Sequence, residues 1–264
     1  MESTRVESDT AVVVSDVVYT PEGAAAPVLE ELSLSIQTGE HVAVIGRSGC
    51  GKTTALSVIT GLLTPDAGTV RVLDHSDPAE RVRSCALMPQ GDSLLPWLSL
   101  VDNVAMPLRN RGVSKSAARE QVRPLVEQWG LGSVAHRRPH ELSGGMRQRA
   151  ALLRALAADK PVLLADEPLG ALDAITRADG QTWLRERLRD RQTTLVLVTH
   201  DVDEALLLAD RVLVLAGRPA RVTAESRGWF GDPRSRTELL ADVDLAAART
   251  GLLTALSAEG AMRR

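Results

Sequence analysis

The sequence predicts an α/β protein built on a mainly parallel sheet, and three observations carry that prediction. Short apolar runs alternate with segments of helical period along most of the chain, the pattern of strands joined by covering helices. One such run, Val42–Ile45, passes directly into a glycine-rich loop, Gly46–Thr53, that opens a helical segment. Apolar residues make up 44% and charged residues 25% of the 264 positions, a composition able to bury a sizeable core.

Taken in order, residues 1–10 are polar and acidic and read as a disordered tail, without the apolar stretch of a secretory signal. Ala11–Val18 and Leu32–Ile36 read as strands flanking a loop over Pro21–Pro27, and Val42–Ile45 as a short buried strand. Lys52–Leu63 has helical spacing, and Val70–Leu73 and Cys85–Met88 are further strands. Between Gln90 and His140 the character changes. Val101–Leu108 and Ser116–Trp129 read as helices with no convincing strand, so about 91–158 forms a helical subdomain. After Ser143 a helix runs to about Ala158, and the alternation returns. The strands are Val162–Ala165, Thr194–Val198 and Val212–Leu215; the helices are Ala174–Arg189 and Asp201–Ala209. From Asp232 an Ala/Leu-rich amphipathic helix is expected, broken near Gly251. The organisation is thus a tail over 1–10, a main domain over 11–231 and a C-terminal helical extension over 232–264.

Bulk properties exclude several classes. A net charge of −3 gives no electrostatic case for nucleic acid. Two cysteines, Cys50 and Cys85, argue against a disulfide framework and fit a reducing compartment; Cys85 reads as a small core residue. No run approaches the roughly 18 apolar residues of a membrane span, so any membrane role goes through a partner. Lys52, Lys115 and Lys160 are the only lysines among 31 basic residues, which makes a lysine inside a glycine loop informative.

That loop, Gly46-Arg47-Ser48-Gly49-Cys50-Gly51-Lys52-Thr53 followed by Thr54, fits G-x-x-x-x-G-K-[ST] between a strand and a helix. Glycines let the backbone curl so that amides point at phosphate oxygens, and the helix adds its positive end. Lys52 can reach the β/γ phosphates of ATP, and Thr53 can ligate Mg²⁺. A second apolar strand ends in Asp166-Glu167. In open α/β sheets ligands bind at that edge. Asp166 would hold magnesium and Glu167 would polarise the attacking water. A third element is Leu142-Ser143-Gly144-Gly145-Met146-Arg147-Gln148-Arg149, where Ser143 caps a helix and the glycines leave its first amides open. Two anion sites in one chain suggest that two chains sandwich a nucleotide.

Gln90 closes a strand and is uncharged, so it can coordinate both water and metal. His200 ends another strand at the same edge, where a lone histidine is more often a cap or a core residue. Tyr19, the only tyrosine, can stack on adenine or serve as a strand-end core residue. Cys50 neighbours a helix N-terminus and Lys52, which would activate a thiol; the other reading is a small residue at a variable position. His136-Arg137-Arg138-Pro139-His140 reads as a solvated loop.

Tyr19, GRSGCGKTT, Gln90, LSGGMRQR, VLLADEP, GALD and His200, in that order, closely resemble the nucleotide-binding subunit of ABC transporters over residues 11–217. The resemblance implies the ABC ATPase fold: a P-loop NTPase core, an N-terminal antiparallel β subdomain and an α-helical subdomain. It also implies a head-to-tail homodimer with ATP and Mg²⁺ at the interface, each ATP held by the Gly46 loop of one subunit and Ser143–Gly145 of the other. Gln90 then senses magnesium and water, Glu167 is the catalytic base, His200 contacts the γ-phosphate, Asp173 links the two sites and Tyr19 stacks on adenine. Met146 departs from the glutamine usual after LSGG, and Ala165 from a larger aliphatic.

The stretch Leu94-Leu95-Pro96-Trp97, just past Gln90 and running on to Asn103-Val104, is either a local mini-core or an exposed apolar patch for a partner. In the family this region receives a membrane permease. LLPW…DNV with DEPLGALDAITR is similar to importer ATPases for nitrate, sulfonate and taurine, and no regulatory β-rich domain is read after Leu215. The resemblance therefore implies uptake through a separate permease, indirectly with a solute-binding protein, at the inner face of the cell membrane. The alternatives are an exporter subunit or a soluble ABC ATPase.

Overall fold

The computed structural model describes residues 9–189 and 192–261. Residues 1–8 of the expected tail, and 262–264 of the C-terminal extension, lie outside the described residues. Thr10, placed in the tail on sequence, already belongs to the first strand.

The chain opens with β1 (Thr10–Tyr19), β2 (Leu29–Gln37) and β3 (His41–Ile45), then α1 (Lys52–Thr60), β4 (Ala67–Val72), α2 (Pro78–Ser84) and β5 (Cys85–Met88). A helical stretch follows: α3 (Leu100–Val104), α4 (Met106–Asn110), α5 (Lys115–Gln128) and α6 (Gly144–Ala157). Alternation then resumes through β6 (Val162–Asp166), α7 (Ala174–Arg189), β7 (Thr194–Thr199), α8 (Val202–Leu208), β8 (Arg211–Gly217) and β9 (Ala220–Arg227). Helices α9 (Arg236–Leu240) and α10 (Val243–Ala261) close the described chain.

Among the described residues nine strands form one sheet, ordered β4-β1-β2-β9-β8-β3-β7-β6-β5. The five strands β8-β3-β7-β6-β5 are parallel. Strands β1, β2 and β4 pair antiparallel, as do β8 and β9. The fold is therefore the expected α/β class, with an antiparallel arm on a parallel core. The parallel strands are buried along their length, β3 and β6 at every residue, as a sheet covered on both faces requires. Two apolar clusters result. One joins the sheet to α3–α8 and takes in Leu239, Leu245 and Leu252 near the end of the described chain; the other joins α1 to β1, β2 and β4.

Several expected boundaries move, each for a local reason. Helix α1 stops at Thr60, short of Leu63, because Gly61 turns left-handed (φ +93°) and its amide closes on Ser57 and Val58. The expected helix Val101–Leu108 is two short helices meeting at Ala105, with Pro107 in the first turn of the second. Helix α2 lacks an apolar stripe and goes unread in the sequence. Asp77 caps it, Pro78 starts it, and buried Arg81 anchors it by donating to the Val58 and Ile59 carbonyls at the end of α1. Strand β9 is also unread: its residues alternate between half-buried and exposed after a buried Ala220, so it lacks the apolar run of a core strand. The break expected near Gly251 does not occur, since that glycine lies in open space within a continuous helix. The interruption falls before α10, where Asp242 Oδ1 accepts from the Asp244 and Leu245 amides.

Candidate nucleotide-phosphate site

Strand β3, between β8 and β7, delivers Gly46 to the C-terminal edge of the parallel core. A Cβ at Gly46 would stand 2.3 Å from the Leu215 carbonyl oxygen, so the loop presses on the end of β8 more closely than any side chain allows. Cys50 Sγ donates to the same oxygen at 3.5 Å and is 5% exposed, the setting of a small packed residue. Gly49 and Gly51 take φ +73° and +109°. Lys52 is buried, and its Nζ donates to the Gly46 and Arg47 carbonyls at 2.7 and 3.0 Å. No side chain caps α1, which leaves its first amides for an external acceptor.

Opposite the loop, Thr53 Oγ1 donates to Asp166 Oδ2 at 2.5 Å. Asp166 is 2% exposed at the tip of β6. Burial pushes its carboxyl up; the Thr53 hydrogen bond opposes this and the charge of Glu167 adds to it. Glu167 follows with φ +50°, and its amide donates to the Val198 carbonyl at 2.7 Å. Its Oε1 lies 3.2 Å from His200 Nδ1, and its Oε2 accepts from Gln90 Nε2 at 3.4 Å. Two side chains, from the ends of β5 and β7, thus converge on the carboxylate at the end of the intervening strand β6. Ser48, Gly49, Gly51, Lys52, Thr53, Thr54, Gln90, Asp166 and Glu167 line one cleft of about 290 Å³, together with Val28.

Other expected residues lie apart from that cleft. Tyr19 ends β1 half-buried, one strand pair from Val28, whose amide bonds its carbonyl. Arg47 is exposed on the loop. Ser143 and Gly144 are exposed at the start of α6, where Ser143 Oγ accepts from the Met146 amide at 3.2 Å, the expected cap. Met146 packs half-buried on the core. Asp173 Oδ1 accepts from the Ile175 and Thr176 amides, and a hydrogen bond from the Thr176 side chain, seconded by these amides, holds its carboxyl below the usual range.

The sequence reading missed three residues here. Val28 lines the cleft, and only its place beside Tyr19 could have signalled it. Gln148 lies within the LSGGMRQR run and reaches across to the backbone after β6: Nε2 donates to the Glu167 carbonyl and Oε1 accepts from the Ala171 amide, both at 2.6 Å. Glu204, behind His200, accepts from Thr199 Oγ1 at 2.8 Å.

Past Gln90, the Leu94–Trp97 stretch divides between its two readings. Leu94 is buried, while Trp97 is 66% exposed. Asn103, fully buried, pins the loop by accepting from the Leu95 amide and donating to the Leu95, Leu98 and Ser99 carbonyls. Cys85 is buried as expected, and burial pushes its thiol up to about 12. His136 and His140 are exposed in a turn-rich loop.

The donor set suits a hard cation shared with a phosphate. No cluster of three or more His, Cys, Asp or Glu able to hold a metal occurs among the described residues. One hydroxyl and one buried carboxylate match the way magnesium is held by few protein oxygens plus substrate phosphates.

Comparison with known proteins agrees. Residues 29–170 match the family model described as ABC transporter. The taurine import ATP-binding protein TauB of Sinorhizobium fredii is 48% identical over 79% of this chain and 78% of its own length. The nitrate transport protein NasD of Klebsiella oxytoca is 42% identical over 81% and 83%. A dimeric ATP-binding cassette solved in a post-hydrolysis state with ADP and Pi superposes with a TM-score of 0.76 at 29% identity, covering 82% of this chain and 98% of that one.

Proposed function

The chain belongs to the ABC transporter family, and from that premise we propose that it energises uptake of a small solute of the taurine, sulfonate or nitrate type through a separate permease. It is an ATPase. The amides of the Gly46 loop and of the first turn of α1 take the phosphates, and Lys52 exchanges its loop carbonyls for β/γ oxygens. Thr53, Asp166 and Gln90 would hold Mg²⁺, which neutralises charge on the transferring phosphoryl group. Glu167 accepts the proton of the attacking water, with Gln90 and His200 fixing its two oxygens; His200 stands where it can reach the γ-phosphate. Ser143–Gly145 close the ATP site of a second copy, Asp173 lies between the two sites, and Tyr19 stacks on adenine.

The likeness to a taurine import ATP-binding protein supports the direction of transport. No helix among the described residues is long and apolar enough to cross a membrane, so the transport path belongs to a partner. We place that partner on Leu94–Asn103 and place the chain at the inner face of the membrane, with a solute-binding protein acting on the permease from the other side.

The observation that carries the hydrolytic assignment is the Glu167 carboxylate held between Gln90 and His200 beside the Thr53–Asp166 pair. Glu167→Gln should retain ATP binding and lose turnover by about 10²–10⁴-fold, with an ATP-dependent dimer accumulating on size exclusion. Undiminished phosphate release would remove Glu167 from the role.

A further inference from the structure

Gln148 lies one turn inside α6 and is 6% exposed. Both polar atoms of its amide are spent on one short segment, the Glu167 carbonyl and the Ala171 amide, at 2.6 Å each. Glu167 holds φ +50°, a conformation that residues bearing a Cβ rarely adopt. Three hydrogen bonds fix that peptide: its amide to Val198 O, and its carbonyl to Gly170 N at 3.1 Å and to Gln148. Of these, only the Gln148 bond comes from a side chain, and it alone arrives from a helix. The same helix begins at the exposed Ser143 cap.

We infer that Gln148 is a positioning residue that couples the start of α6 to the aim of the catalytic carboxylate. Its donor holds the Glu167 peptide in the left-handed conformation, which directs the side chain between Gln90 and His200. Its acceptor carries Ala171, two residues before Asp173, along with the helix. In the proposed dimer the Ser143 end of α6 meets the ATP bound by the other subunit. One buried amide therefore joins the signal that the second site is filled to the geometry of the first. The inference rests on the roles assigned above to Glu167 and to Ser143.

The test uses the full-length chain and three variants. Gln148→Met has similar length and makes neither bond. Gln148→Glu keeps the acceptor for Ala171 and sets an oxygen against the Glu167 carbonyl. Glu167→Gln is the control. Gln148→Met should lower kcat at least about tenfold, hold the affinity for a fluorescent ATP analogue within about threefold, and reduce the Hill coefficient for ATP. Gln148→Glu should lose kcat similarly but retain more of the cooperativity. Wild-type kcat in Gln148→Met, or equal losses of affinity and turnover, would overturn the inference. If Gln148→Met binds no nucleotide because it does not fold, Gln148→Glu decides, and unchanged kcat there overturns it. An active Glu167→Gln would overturn the base assignment and this inference together; an inactive one beside a fully active Gln148→Met overturns the inference alone.

Discussion

Glu204 is 2% exposed, and its Oε1 has no hydrogen-bond partner. Burial above all, with the charge of Asp201 adding and the Thr199 hydrogen bond opposing, pushes its carboxyl from 4.5 up to about 8. Oε2 accepts from Thr199 at 2.8 Å. The sign follows from proton counting. As pH rises from 4.5 to about 8, the unfolded chain gives up this proton while the folded chain keeps it. Stability from this group is therefore full below that window and lost across it. Across that range the urea midpoint of the wild type should lose ground to that of Glu204→Gln, which should be the more stable protein at the alkaline end. Asp166, raised by burial, and His41, lowered by burial and opposite in sign, act alike in both proteins and cancel in the comparison. Identical slopes would show that Glu204 is ionised in the folded state. Gln90, Asp166, Glu167 and His200 were legible in the sequence because each ends an apolar strand. Glu204 was not, because Asp203 and Glu204 look alike in the first turn of a helix and only packing buries one of them.

At the scale of elements, charged residues do structural work that apolar periodicity does not reveal. Arg185 on α7 donates to the carbonyls of Trp229, Phe230, Asp232 and Arg234, holding the turn that leads from β9 to α9. Burial lowers its pKa, and the nearby charge of Arg189 adds to this. Arg185→Met takes the guanidinium from the Phe230 and Arg234 carbonyls and one of two donors from Trp229 and Asp232, and should cost about 2–4 kcal/mol of unfolding free energy, measured by urea titration, with the cleft beside the Gly46 loop intact at low temperature. A loss under a few tenths would show that water replaces the guanidinium. Arg81 plays the same part between α1 and α2, which is why α2 escaped a reading based on apolar spacing. Strands β3, β6 and β7 were legible because a parallel sheet buries both faces. Strand β9 was not, since it joins the parallel core to the antiparallel arm between β8 and β2 and its half-buried and exposed polar residues resemble a loop.

At the scale of the molecule, the sheet separates two apolar cores, and the helical layer α3–α6 lies on one side of it. The Trp129 and Trp183 rings stack at 4.4 Å, tying the end of α5 to α7. Arg249 on α10 bonds Asp203 on α8, so the C-terminal helix is fastened next to the His200 strand end. Against this anchored body Trp97 stands out at 66% exposure on a loop fixed by Asn103. Trp97→Ala should leave basal ATP hydrolysis unchanged and weaken co-purification with the permease; normal assembly would move the docking surface elsewhere. The sequence left this loop undecided because a tryptophan among leucines serves a core or a partner equally well. Only the fold, which buries Leu94 and exposes Trp97, separates the two.

The hold of Lys52 on its own loop has a consequence for how the cycle restarts. Its ammonium is held by the Gly46 and Arg47 carbonyls, so in the proposed role arrival of a phosphate is an exchange of oxygen partners rather than the filling of a bare charge. The reverse swap awaits when product departs, and at neither moment must a buried cation stand alone. The loop thereby acts as its own placeholder, keeping its shape between turnovers and favouring ligands with enough negative charge to outbid two carbonyl dipoles.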